Sequence, residues 1–218
     1  MNAMNNPEHA LTLAKSLMDQ GLVGLALGLS TTQQERLLQY LVLLEKWNQV
    51  YNLTAIRELN KMVGSHLLDS LSVVAFLAGK NILDVGAGAG LPGIPIAVAK
   101  PQCQVTLLDS NHKKAAFLRQ AVAELALKNA NIVCERAESW IAPAGFDVII
   151  SRAFSDLGEF VSVTGRLLAS DGVIAAMKGL YPFEELERVP AGFRVREVRR
   201  LQVPGLEAER HLVLIERA

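Results

Sequence analysis

Two aspartates, each near the end of an apolar run and separated by a glycine-rich turn, are suited to holding a nucleoside. Asp84 lies in the run NILDV, the turn GAGAGLPG follows at once, and Asp109 ends the next run, QVTLLD. Gly86, Gly88 and Gly90 lack the Cβ atoms that would hold a ligand off the backbone, and they permit positive φ in a tight turn. A carboxylate at the end of the second strand can accept both hydroxyls of a ribose. An ordinary βα turn would explain the glycines alone. Acids at both strand ends favour a nucleoside-cofactor site.

Two cofactors compete for that site. Gly88, Gly90 and Gly93 satisfy GxGxxG, the dinucleotide fingerprint, which points to NAD. That register places Gly86 inside the first strand and sets Pro92 and Pro95 around the helix start that must cradle a pyrophosphate. Proline removes N–H donors there, and a pyrophosphate needs donors. S-adenosyl-L-methionine (AdoMet) carries no phosphate, so an acid, GxGxG and prolines in succession suit it better. Asp84 then serves the methionine amino group through the turn, and Asp109 the ribose.

Elements of alternating type must position these residues. From Asn81 onward, strand patterns NILDV, QVTLLD, NIVCER, FDVIISRA, GVIAAMKG, FRVREVRRLQV and RHLVLIER alternate with helical patterns such as HKKAAFLRQAVAELAL and LGEFVSVTGRLLA. Such alternation predicts a parallel, doubly wound sheet. Only PGLEAE separates the last two strands, too little for a crossover helix, so they form an antiparallel hairpin at one side. Residues 1–80 read as helical: Pro7 to Gln20, a second helix after the cap candidates Ser30, Thr31 and Thr32, and a third from about Glu58 to Leu77. The expected organisation is a helical extension over 1–80 packed on a cofactor-binding core over 81–218.

Composition narrows the function classes. Of 218 residues, 50% are hydrophobic and 20% charged, enough for one well-packed α/β unit with a modest extension. The opening segment has no basic leader pattern, and GLVGLALGLS is too short to span a bilayer, so a soluble cytoplasmic protein with no membrane partner is expected. Cys103 and Cys134 lack CxxC spacing and read as reduced thiols, and His9, His66, His112 and His211 show no ligand spacing. No metal is expected. Basic and acidic side chains balance locally, with six of each over 1–80, nine of each over 81–180 and seven of each over 181–218. Any nucleic-acid partner must therefore be held by a folded patch rather than a polycationic arm.

The segments WNQVYNLTAIR, HLLDSL, DVGAGAGLPGIP, LLDSNHKKAAFLR, ISRAF, MKG and ERHLVLIER together resemble the bacterial small-subunit ribosomal RNA guanine-N7 methyltransferase family, also called glucose-inhibited division protein B. The resemblance covers nearly the whole chain, whereas the glycine turn alone indicates only the superfamily. It implies a Rossmann-like class I AdoMet-dependent methyltransferase: a mostly parallel seven-stranded sheet with helices on both faces and an N-terminal helical extension. It also implies methylation of guanine N7 in 16S rRNA, with guanine 527 as the family target, within the small ribosomal subunit. The family's cofactor contacts fall on Gly86 and Leu91 in the turn, on Ala137 and Glu138 after the third strand, and on Arg152 after the fourth. Without that match, Glu138 would read as a solvated helix-start acid and Leu91 as a core leucine.

Within that resemblance, Arg152 in ISRAF stands where this fold class keeps its catalytic segment, and its planar fork could grip the methionine carboxylate or the guanine edge. A structural ion pair with Asp156 or Asp84 is the alternative. Lys178, at the next strand's end, is a second cation for the base or a phosphate, or else an exposed one. SRAF has neither the Asp/Asn-Pro-Pro-aromatic loop used on exocyclic amines nor the cysteine used on cytosine C5. Guanine N7 needs neither. For the RNA face, Trp47, Tyr51, Asn52, Arg57, Lys61 and His66 are candidates. Leu41, Leu44, Trp47 and Tyr51 recur at helical spacing, which also fits a core stripe, and His66 with Asp69 reads as a helix-surface pair. Arg194, Arg196 and Arg200 on the tail strand either bind RNA or protect a sheet edge.

Overall fold

The computed structural model describes residues 7–142 and 144–218, with Pro7 described in its backbone only. Residues 1–6, on which the leader expectation partly rests, and Pro143 lie outside the described residues. The sheet is built from β1 (Asn81–Val85), β2 (Gln104–Leu108), β3 (Ala130–Val133), β4 (Phe146–Ser151), β5 (Leu168–Lys178), β6 (Phe193–Leu201) and β7 (Arg210–Arg217). Their order is β3-β2-β1-β4-β5-β7-β6, parallel from β3 through β5 and antiparallel where β7 meets β5 and β6. The strand order reverses between β1 and β4, and the crevice outside the carboxyl ends at such a reversal is where open α/β sheets bind ligands.

Near-continuous apolar runs make these central strands because both faces are covered. Ile82 faces one core with Val105, Val148 and Ala175, while Leu83 faces the other with Leu108, Ile149 and Ile174. The first face carries α1 (Pro7–Gly24), α2 (Thr31–Tyr51), α5 (Gly93–Ala99) and α6 (His112–Glu124), and Leu37, Tyr40, Leu41 and Leu44 of α2 share its core. The second face carries α7 (Leu157–Thr164), with Leu157, Phe160 and Val161 packed beside Trp140. Among the described residues no helix is long and apolar enough to cross a membrane.

Local chemistry sets the ends. Ser30 caps α2 in a capping box with Gln33, and Asn52 closes it in the left-handed region at φ 48. The third predicted helix is interrupted: α3 (Leu59–Met62) widens into a π-helical segment, Val63–Leu68, before α4 (Asp69–Leu71), and a 3-10 turn follows at Val74–Phe76. Inserted π turns rotate the following residues to a new face and recur at functional sites. The segment LGEFVSVTGRLLA also departs from one helix, since β5 begins at Leu168, which pairs with Phe146 of β4. Trp47 packs edge-on against Phe117 with centroids 5.5 Å apart, the core placement its periodicity allowed. Arg194 and Arg196 share Glu216, at 2.6 and 4.0 Å, and Arg200 lies 3.6 Å from Glu209, so the tail arginines are charge-paired on the edge strand β6 and its neighbour.

Candidate active site

The glycine turn is held from four directions. Gly86, Gly88 and Gly90 all have positive φ, at 70, 58 and 85. Asp84, fully buried, accepts the Gly93 N–H at 2.8 Å, and Asp109 accepts the Gly88 N–H at 2.8 Å through Oδ2 and the Asn111 N–H at 2.8 Å through Oδ1. From α2, the buried Tyr40 hydroxyl donates to the Ala89 carbonyl at 2.6 Å. Ser151 at the end of β4 donates to the Val85 carbonyl at 2.7 Å and accepts the Ala153 N–H at 3.0 Å, which ties the ends of β1 and β4 together. A Cβ on Gly86 would lie 2.9 Å from that of Ala153, so this glycine is what lets the two loops meet. At Gly90 a Cβ would run instead into Ile94 and Leu118, so helix packing itself requires this glycine.

Two cavities flank this junction. One, of about 260 Å³, is bounded by Gly86, Asp109, Ala137, Glu138, Ala153 and Phe154 at the β1, β2 and β3 ends. The other, of about 460 Å³, lies across Arg152 and is walled by Thr54, His66, Asp69, Met177, Lys178 and Arg210. The helix start that a pyrophosphate would need has no free donors: Gly93 N–H goes to Asp84, Ile94 N–H to the Gly90 carbonyl, Ile96 N–H to the Pro92 carbonyl, and Pro95 has none. β1 also ends at Val85, leaving Gly86 as the first residue of the turn. The NAD register fails on both counts.

Arg152 pairs with neither Asp156 nor Asp84. Its Nη1 donates to Asp69 Oδ2 at 3.0 Å and to the Ser65 carbonyl at 3.2 Å, while Asp156 caps α7 and meets Arg188 at 3.1 Å. Asp69 in turn receives Arg210 Nε on Oδ1 at 2.9 Å. One buried carboxylate thus holds two guanidinium groups at the wall of the larger cavity. The π segment supplies Ser65 and His66, and Asp69 opens α4 directly after it, so the expected surface pair of His66 and Asp69 is instead buried and split. His66 Nε2 lies 2.7 Å from Thr54 Oγ1 and its Nδ1 lies 3.0 Å from the Ser65 carbonyl. Lys178 is not exposed: its ammonium donates to the Phe154 carbonyl at 3.0 Å and to Glu185 at 2.6 Å.

The family model of rRNA small subunit methyltransferase G matches residues 33–213. The chain belongs to the rRNA small subunit methyltransferase G family. The Chromobacterium violaceum rRNA small subunit methyltransferase G is 56% identical over 204 residues, 93% of this chain and 98% of its own. That of Herminiimonas arsenicoxydans is 52% identical over 222 aligned positions, covering 100% of both. Among solved structures, the glycopeptide N-methyltransferase MtfA complexed with S-adenosyl-L-homocysteine superposes with a TM-score of 0.61 at 11% identity, over 70% of this chain and 87% of that one. TYW2 of M. jannaschii in complex with AdoMet gives 0.52 at 19% identity, over 70% and 76%. At such identities these two show the fold alone, a class I Rossmann-like methyltransferase.

In this chain the remaining candidates divide clearly. Ala137 and Glu138 line the smaller cavity, and the Ala137 carbonyl also accepts from Arg166. Leu91 is buried in the apolar core, where its N–H closes the turn on the Ala87 carbonyl at 3.0 Å. Of the helical candidates, Tyr51 is half exposed, Arg57 bonds Asn52 at 2.8 Å, and Lys61 pairs with Glu58 at 2.6 Å. Among the described residues, no group of three or more His, Cys, Asp or Glu could hold a metal ion.

Burial pushes the Asp84 carboxyl up to about 7, with Asp109 adding to the rise and the Gly93 N–H and Arg152 opposing it. Its Oδ1 has no hydrogen-bond partner among the described residues. The folded chain therefore keeps a proton that the unfolded chain releases above 3.8, so Asp84 subtracts stability as pH rises from about 4 to about 7. Asp84→Asn removes that penalty. In urea denaturation the variant gains on the parent between pH 5 and pH 8, whereas a constant difference would show that burial does not govern Asp84.

Proposed function

We propose that this chain transfers the methyl group of AdoMet to N7 of a guanine in 16S rRNA, guanine 527 in the family's terms, within the small ribosomal subunit and hence in the cytoplasm. The observation that carries this reading is the pair of cavities on either side of the β4 end, one lined by Gly86 and the ribose-type acid Asp109 and the other by Arg152, Lys178 and Arg210.

AdoMet, when bound, supplies an electrophilic sulfonium methyl. Asp109 would take the ribose hydroxyls: each of its oxygens has accepted one backbone N–H and keeps lone pairs for more. Ala137 and Glu138 would flank the adenine, and Gly86, Gly88 and Gly90 shape the turn. Asp84 would act on the cofactor's ammonium through the turn behind which it lies, and burial with no partner on Oδ1 holds this carboxyl at a cost. Leu91 supports the turn from the core. Arg152 is the residue assigned to the reaction centre. Lys178 fixes the Phe154 carbonyl and so sets the segment that carries Arg152.

No general base is required, because the N7 lone pair lies in the ring plane and is free at neutral pH. The protein's task is alignment and charge management. His66 agrees with that: burial, with repulsion from Arg152, lowers its pKa to about 4, so it is neutral wherever the enzyme works. The single-turnover rate at saturating AdoMet is expected to stay flat from mildly acidic to mildly alkaline pH, while AdoMet affinity rises with pH through about 7 as Asp84 ionises. Rapid-quench methyl transfer and calorimetry measure the two separately. A rate that climbs with a histidine-like midpoint contradicts alignment catalysis; tighter binding of NAD than of AdoMet contradicts the cofactor.

A further inference from the structure

The loop after β5 carries three apolar side chains that the fold does not bury. Leu180, Tyr181 and Phe183 are 76%, 38% and 74% exposed, and they follow at once on Lys178 and Gly179, which line the Arg152 cavity. The rings of Tyr181 and Phe183 lie 4.4 Å apart, and Tyr181 meets the buried His211 edge-on at 5.5 Å. One ring is thus anchored to the sheet and the other stands on it.

The loop is also held in place. Lys178 reaches across to Glu185 of α8 (Phe183–Leu186) at 2.6 Å, Glu185 accepts the Leu157 N–H at 3.0 Å, and His211 Nδ1 lies 2.8 Å from the Gly179 carbonyl. Glu184, the most exposed acid here, faces Arg188 at 3.6 Å. Leu180 and Phe183 stay largely in solvent on a pinned segment, and clustered exposed apolar surface marks an interaction site.

We propose that Tyr181 and Phe183 form a stacking platform for the RNA base next to the one being methylated. The inference rests on the reading that rRNA enters the Arg152 cavity. Three features favour a base over any other occupant. The platform follows in sequence on Lys178 and Gly179, which wall a cavity together with Arg152 and Arg210, so a strand held there by its phosphates brings a neighbouring base to the loop. Recognition of single-stranded RNA relies on unstacked bases laid on aromatic rings. The chain also has no basic arm to supply affinity by bulk charge, so stacking supplies it.

The test is steady-state methylation of small-subunit particles by the full chain. Phe183→Ala should raise KM for particles about tenfold, the order of one lost base–aromatic stack. kcat and AdoMet affinity should stay as in the parent, and Tyr181→Ala should behave alike. Phe183→Leu should be as impaired as Phe183→Ala, and Phe183→Trp should restore KM. Unchanged KM in Phe183→Ala overturns the platform, as does full function of Phe183→Leu, which would show a generic apolar contact. A defect on particles that is absent on naked rRNA would assign the surface to a ribosomal protein and also overturn it. If the parent chain methylates no rRNA, the functional reading fails instead, an outcome distinct from all of these.

Discussion

Replacing Arg152 by lysine lowers the single-turnover rate of methyl transfer by roughly 100-fold, the scale of one lost transition-state contact, while AdoMet still binds. Among the described residues Arg152 uses only Nη1, on Asp69 and the Ser65 carbonyl. The N–H groups of Nη2 and Nε remain for the cavity, in a plane fixed by the Nη1 contacts. Lysine keeps the charge and loses the plane, so the tie to Asp69 and the presentation of donors cannot both be kept. Rapid-quench measurement with saturating AdoMet reads the effect on chemistry alone. A variant with the parent's rate would leave Arg152 as a structural tie between β4 and the π segment.

Replacing Asp69 by alanine costs stability and rate together. Its carboxylate side chain is 2% exposed and receives two guanidinium groups, each about a quarter exposed, at 3.0 and 2.9 Å. Removing one partner of a buried ion pair costs about 3–5 kcal/mol, and the partial exposure of both arginines lets them rehydrate, so about 2–3 kcal/mol is expected here. Urea denaturation measures that loss. The rate should fall nearly as far as in Arg152→Lys, because the guanidinium is no longer oriented. The double variant Asp69→Ala with Arg152→Lys should be little slower than either alone, since both remove one unit. Additive losses would mean that Asp69 supports the fold without positioning Arg152.

The side of the candidate site around Gly86 and Asp109 was legible because its parts sit close in sequence. NILDV, GAGAG and QVTLLD lie within one βαβ unit, so strand pattern and spacing alone put Asp84 and Asp109 at adjoining strand ends. The cavity around Arg152 was not. Asp69 is 83 residues from Arg152 and 141 from Arg210, and no local pattern links them. Helical periodicity also assumed 3.6 residues per turn through VGSHLL, where π geometry shifts the face and buries His66 and Asp69. Arg210 and Thr54 were missed for the same reason of distance. Tyr40 was hidden in an ordinary apolar stripe, and only its hydroxyl on the Ala89 carbonyl reveals that α2 braces the turn. Leu91 and Gly90 were read toward the ligand because their motif is, yet packing against α6 and the core explains their side of the turn. The aromatic pair at Tyr181 and Phe183 had no period to mark it, since it straddles a loop and the start of the four-residue α8.

The most direct measurement is the content of 7-methylguanosine at guanine 527 of 16S rRNA, by mass spectrometry of nuclease fragments, from cells with and without this chain. The account predicts that the methyl group disappears without the chain, returns with the intact protein, and fails to return to parental levels with Arg152→Lys. Persistence of the 7-methylguanosine in cells lacking the chain, or its restoration in full by Arg152→Lys expressed at parental levels, would contradict it.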